Sequence, residues 1–150
     1  MKITLQRTSY ASVMINHEVK SDINTGFLIL LGIGVDDTKD DIDWLCNKII
    51  NLRVFNDVNG KMNLNIKDVN GDILLVSQFT LFASTKKGNR PSFIKSAKPQ
   101  EAIPLYHKFI EKLEELIGKS IQTGEFGADM QVSLINDGPV TIVIDSKNRE

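Results

Sequence analysis

Hydrophobic and polar residues follow two different periods along this chain, and the two periods separate strands from helices. Residues 1–9 and 11–19 read as two strands, and the second contains a turn near Asn16 and His17. Residues 26–35 form an apolar run of ten residues. That length is too short to cross a bilayer and is typical of a strand that is buried on both faces.

Two segments repeat their apolar positions with a period of about 3.6 residues and therefore predict helices. The first follows Asp36, Asp37 and Thr38, any of which is a suitable cap. The second is predicted to begin near Pro99 and to end before Gly118. The apolar stripes consist of Ile42, Leu45, Cys46, Ile49 and Ile50 in the first helix, and of Ala102, Leu105, Tyr106, Phe109, Leu113, Leu116 and Ile117 in the second.

The other segments favour strands, so the expected fold class is α+β. Two Asn-Gly pairs flank residues 61–67, and this arrangement predicts a strand meander with tight turns. Further strands are expected over 120–123, 130–135 and 140–145. The sequence therefore predicts antiparallel or mixed β-sheets packed with two main helices.

Length and composition fit a single domain that spans residues 1–150, with the polar residues 146–150 as a frayed tail. A hydrophobic fraction of 41% beside 25% charged residues is ordinary for a globular protein, and no membrane span is expected. The N-terminus lacks the pattern of a secretory signal, and the single cysteine cannot form an internal disulfide. We therefore expect a cytoplasmic protein.

The formal net charge of −1 argues against a protein that coats nucleic acid through bulk charge. The distribution of charge is uneven, because residues 84–98 contain five basic side chains and no acidic one. Such a segment is either a solvated loop or a contact for a phosphate backbone. Its basic residues are Lys86, Lys87, Arg90, Lys95 and Lys98.

Conventional catalytic groups are scarce in this sequence. His17 lies near a turn and His107 lies on the second helix, and neither has a motif around it. Cys46 belongs to an apolar stripe, where an inert buried thiol is expected. No cluster has metal-ligand spacing, and Gly32 and Gly34 lack the third glycine of a dinucleotide loop. We therefore expect no metal and no cofactor.

Hydroxyl groups remain as candidates, namely those of Ser77, Thr80, Thr123 and Thr141. A serine or threonine nucleophile needs an adjacent base, and no base is apparent in the sequence. An enzyme built on these residues would depend on positioning, backbone N–H donors and the reactivity of its substrate.

Two motifs change this interpretation. Ser77-Gln78-Phe79-Thr80-Leu81 follows a buried strand, and Asn136-Asp137-Gly138-Pro139-Val140-Thr141 places an X-Pro bond, where the cis isomer costs only ~0.5–1 kcal/mol, between two strands. Together they resemble the signature motifs of the D-aminoacyl-tRNA deacylases of the bacterial and eukaryotic type. The resemblance extends to about Asp145 and includes Gln6-Arg7, Ala11-Ser12-Val13, Gly60 to Leu64, Arg90 to Phe93, and Gln122 to Met130.

The resemblance implies a homodimeric hydrolase that cleaves the ester between a D-amino acid and the 3′-terminal adenosine of tRNA, and that also acts on glycyl-tRNA mischarged on tRNA(Ala). Catalysis would rely on the ribose 2′-OH, with Ser77, Gln78, Phe79 and Thr80 around the reacting carbonyl. Met130 and Thr123 would border the aminoacyl pocket, and Lys86, Lys87, Arg90 and Lys95 would contact tRNA. Gly138 and Pro139 would form a Gly-cisPro motif that enters the partner subunit's active site and excludes L-amino acids.

Two other functions remain open on the residues alone. One is a non-catalytic module that binds an RNA end or a nucleotide through the basic segment 84–98. The other is a serine or threonine esterase that acts on small molecules. We expect RNA rather than DNA or a membrane as the macromolecular partner.

Overall fold

A computed structural model describes all 150 residues and contains eight β-strands and two α-helices. The elements in chain order are β1 (Lys2–Ile15), β2 (Glu18–Ile23), β3 (Gly26–Gly32), α1 (Lys39–Asn51), β4 (Phe55–Asn56), β5 (Met62–Leu64), β6 (Asp72–Ser77), α2 (Pro99–Ile117), β7 (Gln122–Thr123) and β8 (Gln131–Asp145).

The long strand β1 organises the main sheet. Its first half pairs with β3 and its second half with β2, while β8 runs antiparallel along the opposite edge. The prediction of two strands separated at Tyr10 is wrong, because β1 continues through this residue. Ser9 is an extra residue between two positions that pair with successive residues of β8, so it is absorbed as a bulge rather than as a break.

The sheet is mixed, since β3 and β6 are parallel, as are β6 and β7, while the pairs around β1 are antiparallel. It also curls, which brings β2 near β7 at the other end of the strand order. The hydroxyl of Ser21 in β2 donates to the carbonyl oxygen of Thr123 in β7 at 2.7 Å. The predicted α+β class with a mixed sheet and two helices is confirmed.

Alternate residues of β3 contribute to two separate hydrophobic cores. Phe27, Ile29 and Leu31 pack in the larger core between the sheet and the two helices, whereas Leu28 belongs to a smaller core inside the curl of the sheet. Burial of both faces explains why this segment of the sequence is continuously apolar.

Both helices lie where the sequence predicts them. Thr38 is the N-cap of α1, and its backbone N–H donates to Asp41 Oδ2 at 2.8 Å. Helix α2 begins at Pro99 and ends at Ile117, and Gly118 caps it with a φ of 82°, the left-handed conformation that a helix end favours. Cys46 is buried where the two helices pack, and burial raises the pKa of its thiol.

The predicted meander over 61–67 is only partly present. Met62–Leu64 pairs with Phe55–Asn56 in a two-stranded sheet, but the chain then turns. The side-chain oxygen of Asn65 accepts the backbone N–H groups of Lys67 and Asp68 at 2.8 and 3.1 Å. This local turn ends the strand after Leu64, because asparagine competes with a strand partner for the backbone donors.

The C-terminal residues 146–150, predicted from the sequence as a frayed tail, make side-chain contacts with α1. Ser146 is buried, and its hydroxyl donates to Asp41 Oδ1 at 2.6 Å. The Lys147 ammonium donates to the other oxygen of the same carboxylate at 2.8 Å, and the Arg149 guanidinium lies 4.5 Å from the centre of the Trp44 ring. Neither helix is long and apolar enough to cross a membrane.

Candidate active site

The site is built where β6 leaves the core of the sheet. The backbone N–H of Gln78 donates to the carbonyl oxygen of Leu31 in β3 at 2.7 Å, and the chain then enters a 3₁₀ turn over Phe79–Phe82. This turn packs directly on the end of β3. A Cβ atom on Gly32 would lie 3.0 Å from the Gln78 carbonyl oxygen, and one on Gly34 would lie 2.8 Å from the Phe82 ring. The two glycines therefore permit close packing of the turn.

A cavity of about 300 Å³ lies between this turn and the segment that precedes β8. The first wall contains Ser77, Gln78 and Phe79. The opposite wall contains Phe126 and Asp129 among other residues. The remaining lining residues are Leu31, Ile33, Val76, Ser96, Ala97, Ala102, Gly127, Ala128, Met130 and Val132. Most of the lining is apolar, which suits a small organic ligand oriented by a few polar groups.

Four of the six pocket residues expected from the sequence lie in this cavity, namely Ser77, Gln78, Phe79 and Met130. Thr80 is outside the lining but accepts a hydrogen bond from Gln78 Nε2 at 2.5 Å. Thr123 is also outside the lining, and its backbone pairs with Leu75.

Helix α2 supports the cavity wall through Tyr106. Its ring packs edge-on against Phe126 with the centroids 5.6 Å apart, and its hydroxyl donates to the carbonyl oxygen of Leu75 at 3.2 Å. Burial raises the pKa of Tyr106 to about 12, so the hydroxyl remains a donor at physiological pH. The same carbonyl accepts the N–H of Gly124, which ties the segment before β8 to β6.

The basic segment 84–98 adjoins this cavity. Ser84 and Ser92 exchange two backbone hydrogen bonds and close the loop that contains Lys86, Lys87 and Arg90. These three side chains are exposed and take part in no ion pair. Farther along the segment, Phe93 packs edge-on against Phe79 at 5.0 Å, and Ser96 and Ala97 line the cavity. The basic segment is therefore joined to the cavity wall through Phe93, Ser96 and Ala97.

Gly138 and Pro139 lie in an excursion from β8. Thr8 pairs with Asn136 and Gln6 pairs with Thr141, so residues 137–140 stand opposite Arg7 alone. The Gly138–Pro139 peptide bond is cis, and both residues are exposed. Neither residue lines the cavity of its own chain.

The Arg7 side chain contacts this excursion, although no local sequence pattern predicts a role for it. The side chain is buried, with Nε donating to the Asp137 carbonyl oxygen at 2.8 Å and Nη1 donating to the Val54 carbonyl oxygen at 2.6 Å. A Cβ atom on Gly138 would lie 2.9 Å from Arg7 Nη2. Arg7 shares the strand face of the buried residues Ile3 and Leu5, and a charged residue at such an inward position is the sequence signal that could have identified it.

Conventional catalytic bases are scarce in this cavity, although His17 lines a smaller neighbouring cavity together with Asp129. His17 lies in the turn between β1 and β2, His107 is exposed on α2, and neither lines the cavity. Asp129 is the single carboxylate among the lining residues, and no local sequence pattern predicts a role for it. No group of three or more His, Cys, Asp or Glu side chains is arranged to hold a metal ion.

Comparison with known proteins identifies similar sequences over the full length of the chain. The sequence model of the family described as D-Tyr-tRNA(Tyr) deacylase matches residues 4–145. Curated proteins named D-aminoacyl-tRNA deacylase from Flavobacterium psychrophilum and Bacteroides fragilis strain YCH46 are 61% and 59% identical, and each alignment covers 100% of both chains.

Two solved structures have a fold similar to that of this chain. A structure described as c-Myc DNA Unwinding Element Binding Protein is 41% identical, with a TM-score of 0.92, and the match covers 97% of this chain and 98% of that one. A structure described as a probable eukaryotic D-amino acid tRNA deacylase has a TM-score of 0.82 at 14% identity, over 95% of this chain and 97% of that one, and at this identity it supports the fold alone.

Proposed function

This chain belongs to the D-aminoacyl-tRNA deacylase family, and from that premise we propose how it acts as a hydrolase of D-aminoacyl-tRNA. The bond cleaved is the ester that joins a D-amino acid to the 3′-terminal adenosine, and the products are the free amino acid and the tRNA. The observation that carries the proposal is the cavity formed jointly by Ser77–Phe79 and the segment that ends at Met130. Because its substrate is an aminoacyl-tRNA, the protein would act in the cytoplasm.

Catalysis would depend on stabilisation of charge at the reacting carbonyl. Phe79 is the first residue of the 3₁₀ turn, so its backbone N–H has no partner within the turn and can donate to the developing oxyanion. Thr80 is engaged by Gln78 rather than by a base, which does not favour it as a nucleophile. We assign assistance of the attack to the 2′-OH of the terminal ribose, which is adjacent to an already activated ester.

Chirality selection would require two copies of the chain. Gly138 and Pro139 are exposed on one side of their own chain and absent from its cavity, so they can act on a substrate only in the cavity of a partner. There the rigid backbone would leave no space for the side chain of an L-amino acid, whereas a D side chain would point elsewhere. Glycine has no side chain to exclude, so glycyl-tRNA mischarged on tRNA(Ala) would also be a substrate.

The outer surface of β8 supports the homodimer. This strand pairs only with β1, so its other edge has unpaired backbone groups along 15 residues. Two large apolar side chains of the strand face outward, since Ile135 is 60% and Val143 is 72% exposed. An open edge with apolar residues is suited to a second copy of the chain, and the same strand contains Gly138 and Pro139.

The exposed basic loop would contact the phosphates near the tRNA acceptor end. If Lys86 and Lys87 contact phosphates, their replacement by alanine should weaken tRNA binding for every amino acid and reduce the salt dependence by about one unit of slope for each contact. Replacement of exposed Lys20 by alanine is the control.

The decisive experiment compares D-tyrosyl-tRNA with L-tyrosyl-tRNA. We expect the protein to release tyrosine from the D-substrate and to leave the L-substrate intact. Equal rates on both would contradict chirality selection, whereas binding without hydrolysis would favour an RNA-end-binding module. Because the name of one structural relative refers to DNA, a duplex DNA of similar size should be included, and we expect it to bind less well than tRNA.

A further inference from the structure

The base of the excursion from β8 is closed by two side chains. Asn136 and Thr141 are the last paired residues on either side of residues 137–140. Asn136 Nδ2 donates to Thr141 Oγ1 at 2.8 Å, and Asn136 Oδ1 accepts the backbone N–H of Val140 at 2.8 Å. A single amide side chain therefore connects the start of the excursion to its end through both its donor and its acceptor.

A second anchor holds the first residue of the excursion. Arg7 Nε donates to the carbonyl oxygen of Asp137 at 2.8 Å. The residue before Gly138 is thus attached to a buried arginine, and the residue after Pro139 is attached to Asn136. Gly138 and Pro139 form the apex between these two anchors.

We propose that the hydrogen-bonded pair Asn136–Thr141 is a positioning device that determines how strictly the enzyme rejects L-amino acids. This inference rests on the proposed role of Gly138 and Pro139 in the partner's cavity. Selection by exclusion works only if the excluding backbone does not yield to the wrong side chain. A D-amino acid would not contact Gly138 and Pro139. Its rate of hydrolysis would therefore not depend on how rigidly the two ends of the excursion are held together.

This asymmetry separates a positioning role from a merely structural one. If the pair only stabilises β8, its loss should lower the melting temperature and affect both substrates equally. If the pair positions the apex, its loss should raise the rate on the L-substrate and leave the rate on the D-substrate nearly unchanged.

The test uses two variants of Thr141 that differ in the hydroxyl. Thr141→Val keeps the shape but removes the acceptor for Asn136, whereas Thr141→Ser keeps the hydroxyl and is the matched control. We expect the ratio of kcat/KM for D-tyrosyl-tRNA over L-tyrosyl-tRNA to fall about fivefold to thirtyfold in Thr141→Val, the range for one or two lost hydrogen bonds. The ratio should stay near the wild-type value in Thr141→Ser. An unchanged ratio in folded Thr141→Val, or an equal fall in both rates, would overturn the proposal.

A second measurement does not depend on enzymatic activity. Since Asn136 Oδ1 accepts the Val140 N–H, the amide hydrogen of Val140 should exchange slowly in the wild type and about fivefold or more faster in Asn136→Ala. Fast exchange of this amide in the wild type would overturn the positioning role of the Asn136–Thr141 pair alone, even if the enzyme discriminates well between the two enantiomers. A protected amide in a protein that does not distinguish the two enantiomers would instead overturn the proposed function, and with it the role of the Asn136–Thr141 pair in selectivity.

Discussion

Gln78, Thr80 and Asp129 show how little conventional acid–base chemistry the cavity offers. Gln78 donates to Thr80, and Asp129 is the only carboxylate in the lining. If the substrate's 2′-OH assists the attack, no side chain is needed as a base. The polar side chains would then orient the substrate rather than exchange protons with it.

Replacement of the candidate side chains tests this mechanism. We expect Thr80→Ala and Asp129→Asn to retain most of the deacylation rate, and a D-aminoacyl-tRNA with a 2′-deoxy terminal adenosine to react far more slowly. Single-turnover rates measure the chemical step directly. A fall of about 100-fold or more in folded Asp129→Asn would identify this carboxylate as a general base and contradict the RNA-assisted mechanism.

Gly32 illustrates a residue whose importance depends on what packs against it. Its backbone approaches the turn at Gln78 so closely that a methyl group would lie 3.0 Å from both the Gln78 carbonyl oxygen and Leu81 Cβ. Neither atom belongs to the flexible end of a side chain, so the turn itself would have to move. The pair Gly32 and Gly34 is therefore explained by packing under the candidate active site, and not by nucleotide binding.

Gly32→Ala should reduce deacylation and destabilise the protein by about 1–3 kcal/mol, the usual cost of overpacking. Chemical denaturation gives the stability, and assays well below the melting temperature give the activity. Glu111→Ala, at an exposed position of α2 far from β8 in the sequence, is the control and should change neither the stability nor the activity. A Gly32→Ala protein with wild-type activity would show that Gln78 does not need its observed position.

Local sequence identified some of the site residues and missed others for a physical reason. Ser77, Gln78 and Phe79 follow a buried strand directly, so the pattern itself places them at its exposed end. Arg7 and Ser96 reach the site through pairing with distant segments, and nothing near them in the sequence indicates those partners. Their positions depend on strand register, which the sequence pattern did not determine.

Helix α1 depends at its start on the C-terminal segment. Asp41 is buried and accepts hydrogen bonds from the Thr38 backbone, Ser146 and Lys147. Burial alone would raise the pKa of Asp41, but the hydrogen bonds from Lys147, Ser146 and Thr38 outweigh it and hold the pKa well below its usual range. The carboxylate is therefore a structural anion that ties the helix to the end of the chain.

The pH dependence of stability follows from the direction of this shift. A depressed pKa contributes stability that is present above the unfolded value of about 3.9 and is lost as the pH falls below it. Asp41→Asn should cost about 1–3 kcal/mol at pH 7, with the gap to the wild type narrowing below roughly pH 4. Urea unfolding at pH 7 and again below roughly pH 4 measures the difference in the free energy of unfolding between the wild type and Asp41→Asn. Asp40→Asn, an exposed neighbour in the same helical turn, is the matched control, and a gap that is constant with pH would contradict the assignment.

Strand boundaries were harder to predict than helix boundaries. The ends of α2 are marked locally by Pro99 and Gly118, whereas β1 and β8 continue through irregularities that resemble breaks in the sequence. β1 and β8 pair on both sides of the bulge at Ser9 and of the excursion at 137–140. Both strands are long enough for the pairing to resume after each irregularity. The continuity of a strand is therefore a property of the pair rather than of either segment.

At the scale of the whole molecule, the two halves of the proposed machinery lie apart on one chain. The cavity lies between β6 and the segment before β8, whereas Gly138 and Pro139 project elsewhere. If the halves act together, they belong to different subunits. Ile135→Asp combined with Val143→Asp should then yield a monomer in sedimentation experiments, because two buried carboxylates would be unpaired at the interface, and this monomer should fail to discriminate enantiomers.

Mixing two defective variants tests the shared site directly. Ala128→Trp fills the cavity, and Gly138→Val disrupts the apex, because a Cβ atom there would lie 2.8 Å from Val140 and 2.9 Å from Arg7. We expect Ala128→Trp alone to be inactive and Gly138→Val alone to hydrolyse both enantiomers or neither.

After the two proteins are unfolded together and refolded, each heterodimer contains one site with an intact cavity and an intact apex. D-selective hydrolysis should therefore reappear, and it should not do so when Ala128→Trp is mixed with the Ile135→Asp, Val143→Asp monomer. If the refolded mixture shows only the sum of the separate activities, each active site is complete within one chain.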